Sequence, residues 1–375
     1  DTNTKEKDND ADAALEELQK QIDNLPDAEA LAGMNEEEQK AAYAEILAVY
    51  DAVEAAGDTA ESLDLTKLEA ASAFFTGAVQ ALTAGNEGTV VAKVDDAEYT
   101  SLKAAFEQAP DNSVIVLTEN ISGLTTDGIA EVPAEKTYTL DMNGKTISVD
   151  NSFTGRPIVN WGNLTITGSG KIDSSASNSG GYGAVDNYGT LVIENGTYTG
   201  SVNAGGSSVK NRPDAVLTIQ DGTFNGAVTA VYNEGKTYIY GGTFDCRSCS
   251  SCNQNSWGYT IQSHQGEGKE PELYFFNGKV IGVQGAFSTS AGYSEIRDGS
   301  FTTVACAQHS TGNSAFYALY IAGESGEVES NIYGGTFTSA TRVAALIGNT
   351  NDGGLKKNAI AHFYGGTFIG GGNQT

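Results

Sequence analysis

Three of the four cysteines stand in one short run, "CRSCSSC", where Cys246, Cys249 and Cys252 have C-x2-C-x2-C spacing; Cys306 lies further on. Four thiolates could hold zinc or an iron–sulfur cluster. The fourth cysteine of the ferredoxin run is absent, however, and an even count equally allows two disulfides in three pairings. The three histidines, His264, His309 and His362, stand at no helical or hairpin spacing from one another. No HExxH, nucleotide-binding or haem motif occurs, so no cofactor and no metal are expected. An Asn- and Asp-rich acidic surface is compatible with calcium, but no EF-hand loop or nonapeptide repeat points to ligands. Glycoside hydrolysis needs two carboxylates flanking the scissile bond. Asp173, Asp186, Glu194, Asp221 and Asp298 fall into no such paired cluster, and Asp186 with Arg212 reads as a structural ion pair between adjacent repeats.

Those repeats decide which other residues come together. The pentapeptide "YGGTF" recurs word for word at 240–244, 333–337 and 364–368. From 137 onward the apolar period is two, with glycine punctuation and almost no helix signal. Seven segments fit apolar–x–x–Gly–x–apolar, anchored at Ile193, Ile219, Ile239, Phe275, Ile296, Ile332 and Phe363. Two earlier segments, around Leu140 and Ile166, fit with an extra residue or two. The anchors follow one another at 20 to 36 residues. Each glycine marks a corner where a positive φ lets the next strand leave in a new direction. Coils this short, with no intervening helix, predict a parallel β-helix of about nine coils over 137–375. Thr197, Thr223, Thr243, Ser300, Thr336 and Thr367 should stack as one ladder, with Lys279 the exception. Insertions near 245–257, 303–314 and 349–358 are expected to protrude as loops.

Anchors point into the core, so the residues on either side of each anchor point outward on one face. In two early coils these are Val192/Glu194 and Thr218/Gln220. From the next coil onward they are Tyr238/Tyr240, Tyr274/Phe276, Glu295/Arg297, Asn331/Tyr333 and His362/Tyr364. A soluble surface rarely keeps such aromatic density without a use. Tyr238, Tyr240, Tyr274, Phe276, Arg297, Tyr333, His362 and Tyr364 are therefore the candidate ligand-binding residues. Flat rings suit sugars, and Tyr and Arg suit protein interfaces. The competing expectations are that the rings stack on one another, or are covered by the insertions or a second copy. The insertion loops around Trp257 and Tyr259 are the other candidate site.

The segments before the coils read differently. Residues 1–9 are expected to be disordered, and 10–86 to form a three-helix bundle from helices at 11–24, 35–56 and 58–84. Tyr43, Ile46, Leu47, Tyr50 and Val53 form one apolar stripe there. Residues 90–136 should cap the β-helix, with a helix at about 96–108 burying Tyr99, Leu102, Ala105, Phe106 and Ala109, and a strand at 114–117. The net charge is −27, with 48 acidic against 21 basic residues. Such a polyanion is repelled by nucleic acid and anionic membranes, which are not expected partners. No apolar run is long enough to span a bilayer. The opening "DTNTKEKDND" reads as neither a signal nor a transit peptide, so a trimmed or mature piece is expected. The chain stops directly after a corner, at "GGTFIGGGNQT". Continuation of the natural protein, or end-to-end association of this edge, is therefore expected.

The 96–117 stretch, the "TLDMNGKTI" entry and the "GGTF" corners resemble right-handed parallel β-helix surface proteins of gut Firmicutes, loosely grouped with the pectate-lyase-like superfamily. The "LQKQIDNLPDAEAL" and "NEEEQKAAYAEI" segments are similar to helical modules of those proteins. The resemblance covers nearly the whole chain and implies secretion, display on the bacterial cell surface or wall, and adhesion. It suggests host or dietary glycans, or host glycoproteins such as mucin or immunoglobulin, as partners. Secretion favours disulfides, so two bridges among Cys246, Cys249, Cys252 and Cys306 are expected. One bridge from the insertion to Cys306 would pin that loop to the solenoid wall. The functional expectation is a non-catalytic adhesin or binding scaffold. A polysaccharide lyase or glycoside hydrolase, and a purely structural stalk, are the alternatives.

Overall fold

The computed structural model describes residues 15–27, separate parts of 30–71, 89–177, 183–201, 206–226, 229–247, 258–283, 285–304, 317–324, 326–348 and 358–371. The chain divides into two compact units, Asp1–Leu82 and Thr83–Thr375. In the first, residues 15–24 and 66–71 are helical, as are the described positions between 38 and 56. Leu18, Ile22 and Leu25 recur on one helix face and bury against Ile46, Val49 and Leu68. Val53 packs against the same cluster. Tyr43, Leu47 and Tyr50 of the expected stripe lie outside the described residues. The Gln19 side chain pairs with the backbone of Asp64 as a neighbouring strand would. It accepts from the Asp64 N–H at 2.8 Å and donates to its carbonyl at 3.2 Å.

The second unit opens with an antiparallel hairpin, Ala92–Val94 against Ala97–Tyr99. The helix expected from about 96 begins later, at Leu102–Gln108. Asp95 takes a φ of 50° and turns the chain into the hairpin instead. Ser101 then starts the helix, its Oγ accepting from the Ala104 N–H at 3.0 Å. Tyr99, Leu102, Ala105, Phe106 and Ala109 are all buried, as the pattern requires. Tyr138 fastens this helix to the first sheet. Its ring stacks on Phe106 at 5.7 Å, and its hydroxyl lies 3.1 and 2.8 Å from the helix-end carbonyls of Phe106 and Ala109.

From Ser113–Leu117 onward each strand pairs in parallel with the strand three places later in the chain. Among the described residues three long sheets result, of twelve, ten and nine strands, the first extended by the N-terminal hairpin. This is a mainly β, β-helix-like solenoid. The predicted anchors stack in register along the first sheet: Leu140, Ile166, Ile193, Ile219, Ile239, Phe275, Ile296, Ile332 and Phe363. The column begins one turn earlier still, at Ile115. The threonine ladder forms in the second sheet with Lys279 between Thr243 and Ser300.

The glycine corners explain the repeated pentapeptide. Gly196, Gly222, Gly242, Gly278, Gly299, Gly335 and Gly366 all have φ between 100° and 143°. A Cβ at Gly222, Gly242 or Gly278 would sit 3.0 Å from the carbonyl oxygen of the corner glycine one turn back. Where an Asx residue precedes, its side chain takes the glycine N–H. Asn195, Asp221, Asn277 and Asp298 do so at 2.7 to 2.8 Å. Two of the acids considered for catalysis are thus corner residues.

Inside, Tyr198, Phe224 and Phe244 stack along the second sheet, as do Phe301, Phe337 and Phe368. Between the two stacks the sequence places Val280, and there the anchor changes from Ile to Phe275. The Phe275 ring bridges the gap, 6.4 Å from Phe244 and 4.9 Å from Phe301. Volume is exchanged between two sheets within one turn, which keeps the core filled.

A polar column runs through the third sheet. Asn160, Asn187, Asn211 and Asn233 are fully buried, and each Nδ2 donates to the Oδ1 of the next at 2.8 to 3.0 Å. The same nitrogens donate to the carbonyls of Thr190, Val216, Lys236 and Glu272, each of which opens a strand of the first sheet. The column therefore braces the corner between the third and first sheets. Asn211 sits mid-column, with neighbours on both sides. Asn211→Leu should lower the unfolding free energy of the solenoid unit by about 3 kcal/mol, since buried partners on both sides lose hydrogen bonds. Asn211→Asp should cost at least as much, because it buries a carboxylate. Urea denaturation followed by circular dichroism measures both; stability within about 0.5 kcal/mol of the parent chain would show that the column is not a brace.

Candidate binding surface

The outward residues of the first sheet are set by the same ladder that sets the core. Tyr240, Phe276, Arg297, Tyr333 and Tyr364 each donate a backbone N–H at 2.8 Å to the anchor one turn back, so they form one continuous row. Beside it, Tyr238, Tyr274, Glu295, Asn331 and His362 form a second row in register. A third row, Lys236, Glu272, Tyr293 and Glu329, lies two residues further from the corner. The signal for that third row was the position three before each anchor, a column the flanking-pair reading did not include.

Rings pack face to face along these rows. Tyr240 and Phe276 lie 4.6 Å apart and nearly parallel, Tyr333 and Tyr364 are 4.8 Å apart, and Tyr238 and Tyr274 are 5.0 Å apart. Of the competing expectations, stacking of the aromatics on one another is what the rows contain. A ligand therefore meets ring edges and phenol hydroxyls. His362 is also exposed, with Nε2 3.9 Å from Glu329.

Arg297 of the predicted set and Lys236 of the third row are both held from within. Arg297 donates to Glu295 at 2.6 Å, and its guanidinium lies 4.1 Å over the Tyr333 ring. Lys236 pairs with Glu272 at 2.9 Å and sits over the rings of Tyr238 and Tyr274. The hydrogen bond to Glu272 raises the Lys236 pKa above the usual lysine range. Burial, and then donation of its hydroxyl to Glu272, pushes Tyr274 up to about 12. Tyr293 spans the rows, donating to Glu295 at 3.1 Å and accepting from Asn331 at 2.9 Å. The surface is aromatic, and its two cations, Lys236 and Arg297, are both ion-paired within it.

No family model, curated protein or solved structure matches this chain. Its function must be argued from its own geometry.

The remaining sequence candidates fall elsewhere. Asp186 is indeed an ion pair, accepting from Arg212 Nε and Nη2 at 2.7 and 2.6 Å, with buried Arg156 at 3.8 Å. Asp173 pairs with Lys171 at 2.6 Å, and Glu194 accepts from the Thr167 hydroxyl at 2.6 Å. His264 bonds through Nδ1 to the Gln265 carbonyl at 2.9 Å. Tyr259 stacks on Tyr320 at 5.4 Å. His309, Trp257, Cys249, Cys252 and Cys306 lie outside the described residues. Among the described residues no group of three or more His, Cys, Asp or Glu is arranged to hold a metal.

Cys246 departs from expectation. The cysteine spacing and the resemblance lead to a disulfide here, but Cys246 is a free, buried thiol. Strand alternation over Thr243–Cys246 turns Phe244 and Cys246 inward together, and Cys246 is opposite Gly282 one turn on. Burial pushes its thiol up to about 12. Thiolate is scarce at neutral pH and access is closed. Iodoacetamide at about pH 8 should leave Cys246 unmodified in the native protein and alkylate it fully after unfolding. Peptide mapping by mass spectrometry reads this directly, and a Cys246-containing disulfide peptide or rapid native labelling would contradict it.

Proposed function

We propose that this chain is the ligand-binding part of a non-catalytic, extracellular surface protein. In this reading it is a right-handed parallel β-helix of about nine coils, of the pectate-lyase-like kind found on gut Firmicutes. Its ligand is a glycan, either of host or dietary origin or borne on a host glycoprotein such as mucin or immunoglobulin. The observation that supports this best is the row Tyr240, Phe276, Arg297, Tyr333, Tyr364, set in register on one rigid sheet and left open to solvent. Tyr240 and Tyr333 are 46 and 38% exposed. An exposed apolar strip of this kind costs solubility unless something binds it. Pre-stacked rings lose little freedom on binding, which lowers the entropic cost of capture.

The hydrolytic alternative receives less support from the acids. Asp173 and Asp186 are tied in ion pairs, and Asp221 and Asp298 hold corner glycines. Replacing Tyr240, Phe276 and Tyr333 together with serine should weaken glycan capture by at least about tenfold, a loss of about 1.4 kcal/mol or more, with the β-sheet circular dichroism unchanged. A glycan array and a pull-down from intestinal secretions supply the ligands. Undiminished capture by the triple variant would rule out the first-sheet rows as the site. Release of reducing ends or unsaturated sugars would make the protein an enzyme, and no retention of any ligand would leave a stalk.

A further inference from the structure

The third sheet carries an aromatic row of its own. Trp161, Tyr188 and Arg212 follow the buried asparagines directly in sequence and occupy one column, their N–H groups bonded to the carbonyls of Val132, Asn160 and Asn187. Trp161 is 45% and Tyr188 37% exposed. Their rings stack at 4.0 Å, and the Arg212 guanidinium lies 5.0 Å over Tyr188. The arginine is spent on Asp186, and the indole N–H donates to Glu131 at 3.2 Å. On the first sheet the same unit recurs in reverse order along the axis. Arg297, itself bound to Glu295, covers Tyr333, which stacks on Tyr364.

We propose that the Trp161–Tyr188–Arg212 row is a second ligand surface, and that it takes an uncharged glycan chain. Two features favour that occupant. First, the chain's net charge of −27 repels acidic polymers at range, and Arg212 and Arg297, which could offset this at contact, are each held in an ion pair, with Asp186 and Glu295. Secondly, what remains on offer is a rigid indole and phenol pair with polar edges, which matches the mixed C–H and hydroxyl surface of a neutral sugar. The buried asparagine column braces the backbone on which these three residues stand, so the platform is preorganised.

The two surfaces lie on different sheets. The strand Thr190–Ile193, which follows Tyr188, and the strand Val328–Ile332, which precedes Tyr333, are five strand steps apart, about 24 Å along the axis. A rigid spacing of this kind makes the solenoid bivalent. A long chain held at both surfaces gains avidity, and separate chains become cross-linked.

The test uses the full chain with Trp257→Phe, which leaves Trp161 as the single tryptophan. Neutral oligosaccharides of β-linked glucose, xylose, mannose and N-acetylglucosamine are titrated against its fluorescence, with oligogalacturonate as the acidic control. Saturable change with a neutral probe, unaffected by added salt, is expected. The double variant Trp161→Ala/Tyr188→Ala should keep the fold and the first-sheet site, but lose cross-linking of the long polymer and about tenfold in avidity. Trp161→Phe should restore part of that loss. No response to any neutral probe, or a salt-sensitive response to oligogalacturonate alone, would overturn the proposal. So would capture of a glycoprotein that needs Trp161 yet survives its deglycosylation. If instead the third-sheet variant loses binding while the first-sheet triple variant does not, this inference stands and the reading of the first sheet falls.

Discussion

In a parallel, in-register solenoid every side chain has as its nearest lateral neighbours the side chains at the same position one turn before and one turn after, roughly 4.8 Å away. That single constraint governs what each column can contain. Like charges in adjacent turns repel, so Lys236 is followed by Glu272 in the same column and the pair closes at 2.9 Å. Aromatic rings meet at stacking distance without any further adjustment, inside the core and on the surface alike. Asparagine, with one acceptor and one doubly donating nitrogen, can link to its own copies without limit. The binding rows and the buried brace are products of one geometry.

The same constraint decides what could be read from the sequence. Anchors and corner glycines were legible because both are enforced once per turn, one by burial and the other by backbone sign. Ile193, Gly196 and Tyr198 therefore repeat as a recognisable unit. The outward rows of the first sheet were legible because they flank the anchors. The stacking of their rings was only one of several expectations, since sequence fixes the column but not the side-chain torsions that turn a face toward solvent or toward a neighbour.

What was missed has an equally physical reason. The asparagine column is spaced by variable connections and sits at a corner without a repeated glycine in positive φ. Its trace is the recurrence of Asn160-x-Gly162, Asn187-x-Gly189 and Asn233-x-Gly235, a pattern that looks like ordinary turn chemistry. Cys246 was misassigned because cysteine spacing outweighed strand parity. Phe244 points inward, so the residue two later must as well. The hairpin before the capping helix was overridden by apolar periodicity, although Asp95 and Asp96 are adjacent turn formers.

The asparagine column also has a direction, and the direction relates the two aromatic surfaces. Every Nδ2 points toward the C-terminal end, so the first member, Asn160, has an Oδ1 with no donor, because Val132 stands one turn before it. At the other end Asn233 donates to Ser263 at 3.2 Å, after which the column continues as Thr289, Ile321 and Ile347. A polar column needs every member, because one apolar insertion leaves a neighbour unsatisfied, so it can only stop once. Where the column runs, the third sheet presents Trp161, Tyr188 and Arg212. Beyond Ser263 the equivalent positions hold Ser290, Ala322 and Gly348, whereas the first-sheet aromatics begin with Tyr238 and Tyr240, directly after Asn233, and run on from there. The asparagine brace underlies the Trp161–Tyr188–Arg212 row and ends as the first-sheet rows begin, which places the two surfaces on different sheets and at different heights along the axis.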